Sequence, residues 1–268
     1  MMKKIMAVLM ALVMMLAAMT VAVAEEEKDL LARIQEKGEI IIATEGTWAP
    51  WTYHNEEDVL VGFDVEVAQK IAEKLGVKAT FEEVAWDGIF AGLDSGRYDI
   101  AANGVEVTET RAEKYDFTVP YGYIRTAIIV RGDNDSINSF EDLAGKTTAN
   151  TLASTYALMA ESYGASPMGV DDLNQTIELL LQGRVDATLN AEVSLYDFMK
   201  VKPDANIKMA ALSAEANLVS IPLRKGDDSA TLLAAIDKAI EELHQEGVIS
   251  ELSIKYFGSD ITKAEIAE

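Results

Sequence analysis

Short apolar strands alternate with amphipathic helices along this chain, and this alternation most limits the folds that it can adopt. In the first unit, the β-branched stretch at residues 39–44 predicts a strand. Apolar residues spaced four apart then predict a helix over residues 62–77. We expect Asp64 to cap this helix at its start and Gly76 to end it. Such alternation predicts an α/β fold built on a mostly parallel sheet whose faces are covered by helices.

The same pattern occurs twice, which predicts two lobes. The second set should contain strands at residues 126–132, 146–150 and 185–190 and helices at 154–164, 173–183 and 191–200. A strand over 217–224 and a helix over 229–246 should then close the chain. No linker rich in Pro, Gly or Ser separates the sets, so we expect two ordered hinge strands, near residues 121–125 and 215–220. The expected boundaries are residues 25–122 with 219–268 for lobe 1 and 123–218 for lobe 2.

The first 24 residues have the pattern of a secretory signal peptide. Lys3 and Lys4 precede an apolar run at residues 5–23, and an A-x-A site occupies residues 22–24. We expect cleavage after Ala24. A retained membrane anchor is the alternative, because the run is almost long enough to span a bilayer.

Composition excludes several classes of function. The net charge of −22 argues against nucleic acid, whose phosphates require basic patches, and against anionic membrane surfaces. The chain has no cysteine, so we expect no disulfide, no thiolate chemistry and no cysteine-linked lipid anchor. Its two histidines lie far apart, which disfavours a zinc site, and no cofactor motif is present. A free periplasmic protein is the resulting expectation.

Polar and aromatic side chains follow three predicted strands, where open α/β sheets bind their ligands. They fall at residues 43–51, 102–111 and 149–156 and include Glu45, Trp48, Asn103, Glu106, Arg111, Ser154, Thr155 and Tyr156.

Arg111 is the most informative of these residues. It lies three residues after Thr108, the expected cap of a helix. Its forked guanidinium matches a carboxylate, and nearby free backbone N–H groups favour an anion. The alternative is a surface arginine paired with Glu109 or Glu113. We therefore expect Arg111 to bind the carboxylate of a small amino acid.

The tryptophans and acids near these strand ends allow two interpretations each. Trp48 and Trp86 are expected to form pocket walls, whereas Trp51, which follows Pro50, is expected in the core. One of three acids at strand ends should bind the ligand ammonium, although most acids in so acidic a chain are solvent-exposed. These acids are Glu45, Glu106 and Glu192.

Five ordered motifs resemble the amino-acid family of bacterial periplasmic solute-binding proteins. They are "GFDVEVAQKIAEKLGV", "WDGIFAGLDSGRYDI", "VTETRAEKYDFTVPY", "GRVDATLN" and the terminal "IPLRKGD" followed by "KYFGSD". The stretch "ATEGTWAPWTYH", with "GFDVEVAQKIAEKLGV" and "DATLN", looks most like the cystine-binding branch. The resemblance implies the type II two-lobed fold, a monomer, no cofactor, and delivery of an amino acid such as cystine to an ABC-transporter permease.

The resemblance also implies a site. It places the ligand carboxylate on Arg111 of the T-x-x-R motif, and it adds one set of contacts in each lobe. These are Glu45, Trp48, Trp86, Asn103, Gly104 and Glu106 in lobe 1, and Thr151, Ser154, Thr155 and Tyr156 in lobe 2.

One position departs from the family pattern. Ala191 stands where many relatives have an aspartate for the ligand ammonium. Either Glu192 replaces that aspartate from a shifted position, or Glu106 takes the ammonium. An acid at position 106 would also suit a cation. A periplasmic cyclohexadienyl or arogenate dehydratase on the same fold, with Glu192 or Glu106 as its acid, is the alternative function.

Overall fold

The structure is a computed structural model that describes residues 28–263, so the expected signal peptide at residues 1–24 lies outside the described residues. The helices are α1 (Leu30–Lys37), α2 (Phe63–Leu75), α3 (Trp86–Asp94), α4 (Glu109–Lys114), α5 (Thr155–Ser162), α6 (Leu173–Leu181), α7 (Glu192–Val201), α8 (Asp227–Gln245) and α9 (Val248–Phe257). A 3-10 turn spans Glu141–Leu143. None of the helices within residues 28–263 combines the length and apolar character needed to cross a membrane.

Fifteen short strands accompany the helices within this region. They are β1 (Glu39–Thr44), β2 (Thr47–Trp48), β3 (Thr52–His54), β4 (Leu60–Val61), β5 (Lys78–Glu83), β6 (Ile100–Ala101), β7 (Tyr115–Phe117), β8 (Gly122–Ile124), β9 (Thr126–Arg131), β10 (Thr147–Asn150), β11 (Ser166–Gly169), β12 (Thr188–Ala191), β13 (Ile207–Leu212), β14 (Asn217–Val219) and β15 (Pro222–Arg224).

The first sheet has the strand order β5-β1-β6-β15-β7. β1 pairs in parallel with β5 and β6, while β15 runs antiparallel to β6 and β7. Four of the five strands therefore point the same way, and the strand that comes last in the chain is reversed. The carboxyl ends of β1 and β6 open onto the segments that carry Glu45 and Glu106.

The second sheet repeats this arrangement. β10 pairs in parallel with β11, and a parallel bridge from Thr148 to Ala187 joins β10 to the segment that enters β12. β9 runs antiparallel to both β12 and β13. The resulting order is β11-β10-β12-β9-β13, again with one reversed strand. Two sheets of one pattern form two lobes, and the predicted α/β fold with mostly parallel sheets is confirmed.

Two antiparallel strands connect the lobes. β8 pairs with β14 over three residue pairs, and both strands lie where hinge strands were expected. The single strand predicted over 217–224 is divided, because β14 pairs with β8 while β15 enters the first sheet. Ser220 lies at the division and donates its backbone N–H to the carbonyl of Val105. The boundaries near residues 122 and 219 stay a proposal.

The start of α2 differs from the prediction. Gly62, not Asp64, is its N-cap residue, with φ at +137°. Asp64 is buried instead, and its carboxylate accepts the backbone N–H of Gly104. Burial raises the pKa of Asp64 to about 7. The carboxylate therefore supports the segment after β6, and Gly76 ends the helix in the left-handed conformation as predicted.

Trp51 lies in the core, as predicted. It is fully buried and packs edge-on against Phe63, with 5.7 Å between ring centroids. Tyr121, which precedes β8, is also buried beside Phe63. The Trp51 indole donates a 3.1 Å hydrogen bond to the Ser194 hydroxyl on α7. This bond joins the proposed lobes below the cleft.

Candidate ligand-binding cleft

A cleft of about 590 Å³, including its open mouth, lies where the strand ends of both lobes meet. Ten of the twelve predicted site residues line it: Glu45, Trp48, Trp86, Gly104, Glu106, Arg111, Thr151, Ser154, Thr155 and Tyr156. The structure thus brings together in one cleft the residues that the resemblance and the strand-end rule indicated. Their contact with a ligand stays a proposal.

Asn103 is near the cleft but does not line it. Its side chain is fully buried, and its amide nitrogen donates a 2.6 Å hydrogen bond to the Glu45 carboxylate. Its amide oxygen accepts the backbone N–H of Glu45 at 2.8 Å. Asn103 therefore orients Glu45 in this structure, and the expectation that it also contacts the ligand stays a prediction.

Glu192 is also absent from the cleft lining. It is the first residue of α7, and its backbone N–H donates to the carbonyl of Arg125. Its carboxylate pairs with the Arg125 guanidinium at 3.2 Å and is almost fully buried. Because this charge is already paired with Arg125, the structure disfavours Glu192 as the group that binds the ligand ammonium, and its role stays a prediction.

Six further lining residues were missed: Thr47, Asn150, Asp172, Leu173, Thr176 and Asn190. Asn150 and Asn190 stand at the ends of β10 and β12, where the strand-end rule could have found them. Asp172 caps α6 by accepting the backbone N–H of Gln175 at 3.0 Å. An aspartate directly before an apolar helix is a recognisable cap signal, but nothing local indicates that it faces a cleft.

Arg111 is held in place by backbone and aromatic contacts. Thr108 caps α4 and accepts the Arg111 backbone N–H at 3.2 Å. The guanidinium donates a 2.9 Å hydrogen bond to the carbonyl of Glu106 and lies over the Trp86 and Phe90 rings, 5.1 and 5.2 Å from their centroids.

The charge of Arg111 stays available to a ligand. No carboxylate in residues 28–263 lies within ion-pair distance of it, so the expected alternative of pairing with Glu109 or Glu113 does not hold. Burial lowers the pKa of Arg111 and the Glu106 charge opposes that shift, but a guanidinium remains protonated in proteins.

Glu106 presents a buried carboxyl group beside this guanidinium. Only 3% of the residue is exposed, and its Oε1 atom makes no hydrogen bond of good geometry within the described region. Burial raises the pKa of Glu106, while the Thr155 hydroxyl and the Arg111 charge oppose the shift. The Tyr156 hydroxyl, contributed by the other lobe, is also buried without a hydrogen bond of good geometry, and burial and the nearby Glu106 carboxyl group raise its pKa. Unsatisfied buried polar groups are rare in folded proteins, and a bound ligand is one explanation for them.

Glu45 is a second carboxylate in the cleft. Burial raises its pKa to about 7, the Asn103 hydrogen bond opposes this shift, and the charges of Asp172 and Asp87 add to it. Asp172 belongs to the opposite lobe, so the two acids influence each other across the cleft. Desolvation and like charge together disfavour ionisation of Glu45.

Aromatic rings form one wall. Trp48 stacks on Trp51 with 5.4 Å between centroids and meets Tyr156 of the other lobe edge-on at 6.4 Å. Gly104 has φ at +57°, and a Cβ there would lie 2.7 Å from the Trp48 ring. Only glycine allows the strand end and the tryptophan to approach this closely.

The cleft contains no arrangement suited to a metal. Within residues 28–263, no group of three or more His, Cys, Asp and Glu side chains could hold an ion. The lining instead offers a guanidinium, carboxylates, hydroxyls and aromatic faces, which suit a small zwitterionic molecule.

Comparison with known proteins gives a consistent family. The sequence model of the bacterial extracellular solute-binding proteins, family 3, matches residues 40–259. The chain is 38% identical over 239 residues to the L-cystine-binding protein TcyA of Bacillus subtilis, covering 89% of this chain and 88% of TcyA.

Two solved structures share the fold. An ancestral arginine-binding protein bound to arginine is 35% identical with a TM-score of 0.77, covering 82% of this chain and 99% of that one. The open L-cystine solute receptor of Neisseria gonorrhoeae is 39% identical with a TM-score of 0.59, covering 86% and 98%. The expected type II two-lobed fold and the resemblance to cystine-binding proteins are confirmed. The chain belongs to family 3 of the bacterial extracellular solute-binding proteins.

Proposed function

We propose that this protein binds an amino acid in the cleft between its lobes and delivers it to an ABC importer. The observation that carries the proposal is the pairing of opposite, unsatisfied groups in one cleft. Arg111 has a guanidinium without a carboxylate partner, and the buried Glu106 carboxyl beside it has a free oxygen. A zwitterion supplies a carboxylate to the first and an ammonium to the second.

Arg111 would bind the α-carboxylate through two parallel hydrogen bonds, the geometry that a guanidinium favours. Glu106 would take the α-ammonium, because Ala191 has no carboxylate and Glu192 is paired with Arg125. The hydroxyls of Thr151, Ser154 and Thr155 line the same cleft from lobe 2.

Contacts from both lobes would favour the closed conformation. A ligand shifts such an equilibrium by its difference in affinity for the open and closed states. Hinge closure about β8 and β14 would then present a changed surface to a membrane permease. We propose that the protein acts as a monomer in the periplasm after cleavage behind Ala24, without a lipid anchor.

The relatives are named for two classes of ligand, and either class is possible for this protein. TcyA and the Neisseria receptor are cystine proteins, whereas the ancestral protein binds arginine. Cystine is a neutral double zwitterion and arginine carries a net positive charge, so the charges of the cleft should distinguish them.

A thermal-shift screen of the mature protein against the common amino acids and cystine tests the proposal. A ligand at one hundred times its Kd adds about 2.7 kcal/mol of stability, which corresponds to a rise in Tm of roughly 5–10 °C for a chain of this size. No rise with any amino acid would refute the proposal.

A dehydratase is the second candidate, favoured by one observation. Burial raises the pKa of Glu106, and a protonated carboxyl group can act as a general acid. Incubation with prephenate and with arogenate, followed by detection of aromatic product, separates an enzyme from a binding protein. The transport proposal predicts no product.

A further inference from the structure

The hinge strand β8 has a backbone partner besides β14. Residues 259–263 follow α9 and reach β8, where the Tyr123 backbone N–H donates a 2.8 Å hydrogen bond to the carbonyl of Ile261. The Ile261 side chain is buried, and a Cβ at Gly122 would lie only 3.1 Å from its Cδ1 atom. A backbone bond and a buried side chain therefore join this segment to the hinge. We call residues 259–263 the hinge strap.

The strap is anchored to α9 and through it to lobe 1. The buried Ser253 hydroxyl accepts the Ile261 backbone N–H at 2.8 Å and donates to the Ser259 carbonyl at 2.6 Å. α9 is in turn tied to α2, which covers the first sheet, because Lys255 pairs with Glu66 at 2.6 Å. The strap should therefore move together with lobe 1.

Asp260 holds the strap in a turn. Its carboxylate accepts the Ser250 hydroxyl at 2.9 Å and the Thr262 backbone N–H at 3.0 Å. Burial acts to raise the pKa of Asp260, but hydrogen bonds from Thr262, Ser250 and Lys263 lower it to about 2. The carboxylate is therefore ionised near neutral pH, where it keeps all these donors in place.

Hydrogen bonds show which lobe holds each part of the first hinge strand. Tyr123 is bound to the strap of lobe 1. Two residues later, the Arg125 carbonyl accepts the Glu192 backbone N–H of lobe 2 at 3.0 Å. The strap thus leaves Ile124 between a residue tied to lobe 1 and a residue tied to lobe 2.

The second hinge strand is held in lobe 1 by the segment that carries Glu106. The Val107 backbone N–H donates to the Leu218 carbonyl at 2.9 Å, and the Ser220 backbone N–H donates to the Val105 carbonyl at 3.0 Å. β14 in turn pairs with β8. The paired hinge strands therefore lie between an edge of the cleft and the strap.

We propose that the hinge strap confines lobe movement to a pivot at Ile124 and thereby raises the affinity of the cleft for its ligand. The effect on affinity rests on the proposed function, whereas the confinement of the lobes does not. A hinge that could also bend at Gly122 and Tyr123 would let the open protein adopt more conformations. Closing would then cost more entropy, and the ligand would bind more weakly.

Two shortened chains test the confinement in the ligand-free protein. A chain that ends at residue 258 lacks the strap, and its matched control ends at residue 263 and keeps it. Because the chain has no cysteine, Glu57→Cys and Glu178→Cys at exposed positions in opposite lobes can carry a pair of spin labels. We expect loss of the strap to broaden the distribution of label distances and to speed hydrogen exchange at the Tyr123 amide about tenfold. An unchanged distribution and unchanged exchange would overturn the proposal.

Asp260→Ala is a milder change, because it keeps Ile261 and removes only the carboxylate that holds the turn. It tests the strap even if the chain that ends at residue 258 fails to fold. We expect a broadened distance distribution in Asp260→Ala and none in Asp204→Asn, which alters an exposed acid of lobe 2. The same distribution in both variants would contradict the role of the strap.

Ile261→Ala and Ile34→Ala separate an effect on the hinge from a loss of stability. Both remove a buried isoleucine, but Ile34 lies in α1, outside the strap and the hinge strands. With the amino acid that gives the largest thermal shift, we expect Kd to rise about threefold or more in Ile261→Ala and to stay unchanged in Ile34→Ala. Equal Kd values in the two variants would overturn the proposal. If no amino acid binds, the proposed function fails, and the label distances still decide whether the strap confines the lobes.

Discussion

The Arg111 guanidinium donates a 2.9 Å hydrogen bond to the backbone carbonyl of Glu106, whose own carboxyl oxygen Oε1 remains unpartnered in the same cleft. The bond fixes the arginine through the backbone and not through the Glu106 carboxyl group. Trp86 and Phe90 support the guanidinium from their ring faces. A positive and a negative group are thus held side by side before any ligand arrives, which reduces the entropy lost on binding.

Glu106→Gln should weaken amino-acid binding and stabilise the free protein. Burial raises the pKa of Glu106, so keeping this group ionised in the free protein costs stability. The amide cannot pair with an ammonium as a carboxylate does, and we expect affinity to fall by about 2 kcal/mol or more. Calorimetry and thermal unfolding at pH 7 measure the two effects.

Glu109→Gln is the control for that change, because Glu109 is exposed on the neighbouring helix α4. Unchanged affinity in Glu106→Gln would show that the ammonium binds elsewhere.

Asp64→Asn should alter the pH dependence of stability. The pKa of Asp64 is raised to about 7 in the folded state, above its unfolded value near 4. The wild-type carboxyl group therefore favours folding below pH 4, and this contribution is lost as the pH rises to about 7. Relative to the wild type, the variant should gain up to about 4 kcal/mol over this interval, since one pKa unit corresponds to about 1.4 kcal/mol.

Urea unfolding at pH 4.5 and pH 8 provides the comparison. Asp204→Asn, at an exposed position, is the control. An equal stability difference at both pH values would contradict the raised pKa of Asp64.

Ser194→Ala should favour the open conformation without changing a cleft residue. The variant removes the acceptor of the Trp51 indole N–H, which lies fully buried between the proposed lobes. An unsatisfied buried donor costs about 1–3 kcal/mol, and opening lets water satisfy it. The apparent affinity should fall in proportion to the decrease in the fraction of protein that is closed.

Small-angle X-ray scattering of the free and ligand-saturated protein detects the shift, with Ser162→Ala on the exposed face of α5 as control. Equal scattering and equal affinity in Ser194→Ala and the wild type would show that this bond does not couple the lobes.

Local patterns were sufficient for most of the fold because periodicity and capping are local properties. The helical stripe of α2 and the cap at Thr108 are where the sequence predicts them. The division of residues 217–224 was not predictable, because it depends on which distant strands β14 and β15 meet.

The site was partly predictable for a similar reason. Strand ends and the T-x-x-R motif identified Arg111 and its neighbours, but partners distant in sequence decided the roles of three acids. Asp64 accepts a hydrogen bond from the backbone N–H of Gly104, and Glu192 pairs with Arg125. Asp172 faces Glu45 across the cleft. A carboxylate gives no local sign of which of these tasks it performs.

Calorimetric titration of the wild type and Arg111→Ala, with the amino acid that gives the largest thermal shift, tests the central claim most directly. Loss of the guanidinium leaves the ligand carboxylate buried without its partner, so binding should weaken by about 2–5 kcal/mol. Lys114→Ala, which removes an exposed cation from the same helix, should bind as the wild type does. Equal affinity in Arg111→Ala and the wild type would contradict the claim that Arg111 binds the carboxylate of an amino acid.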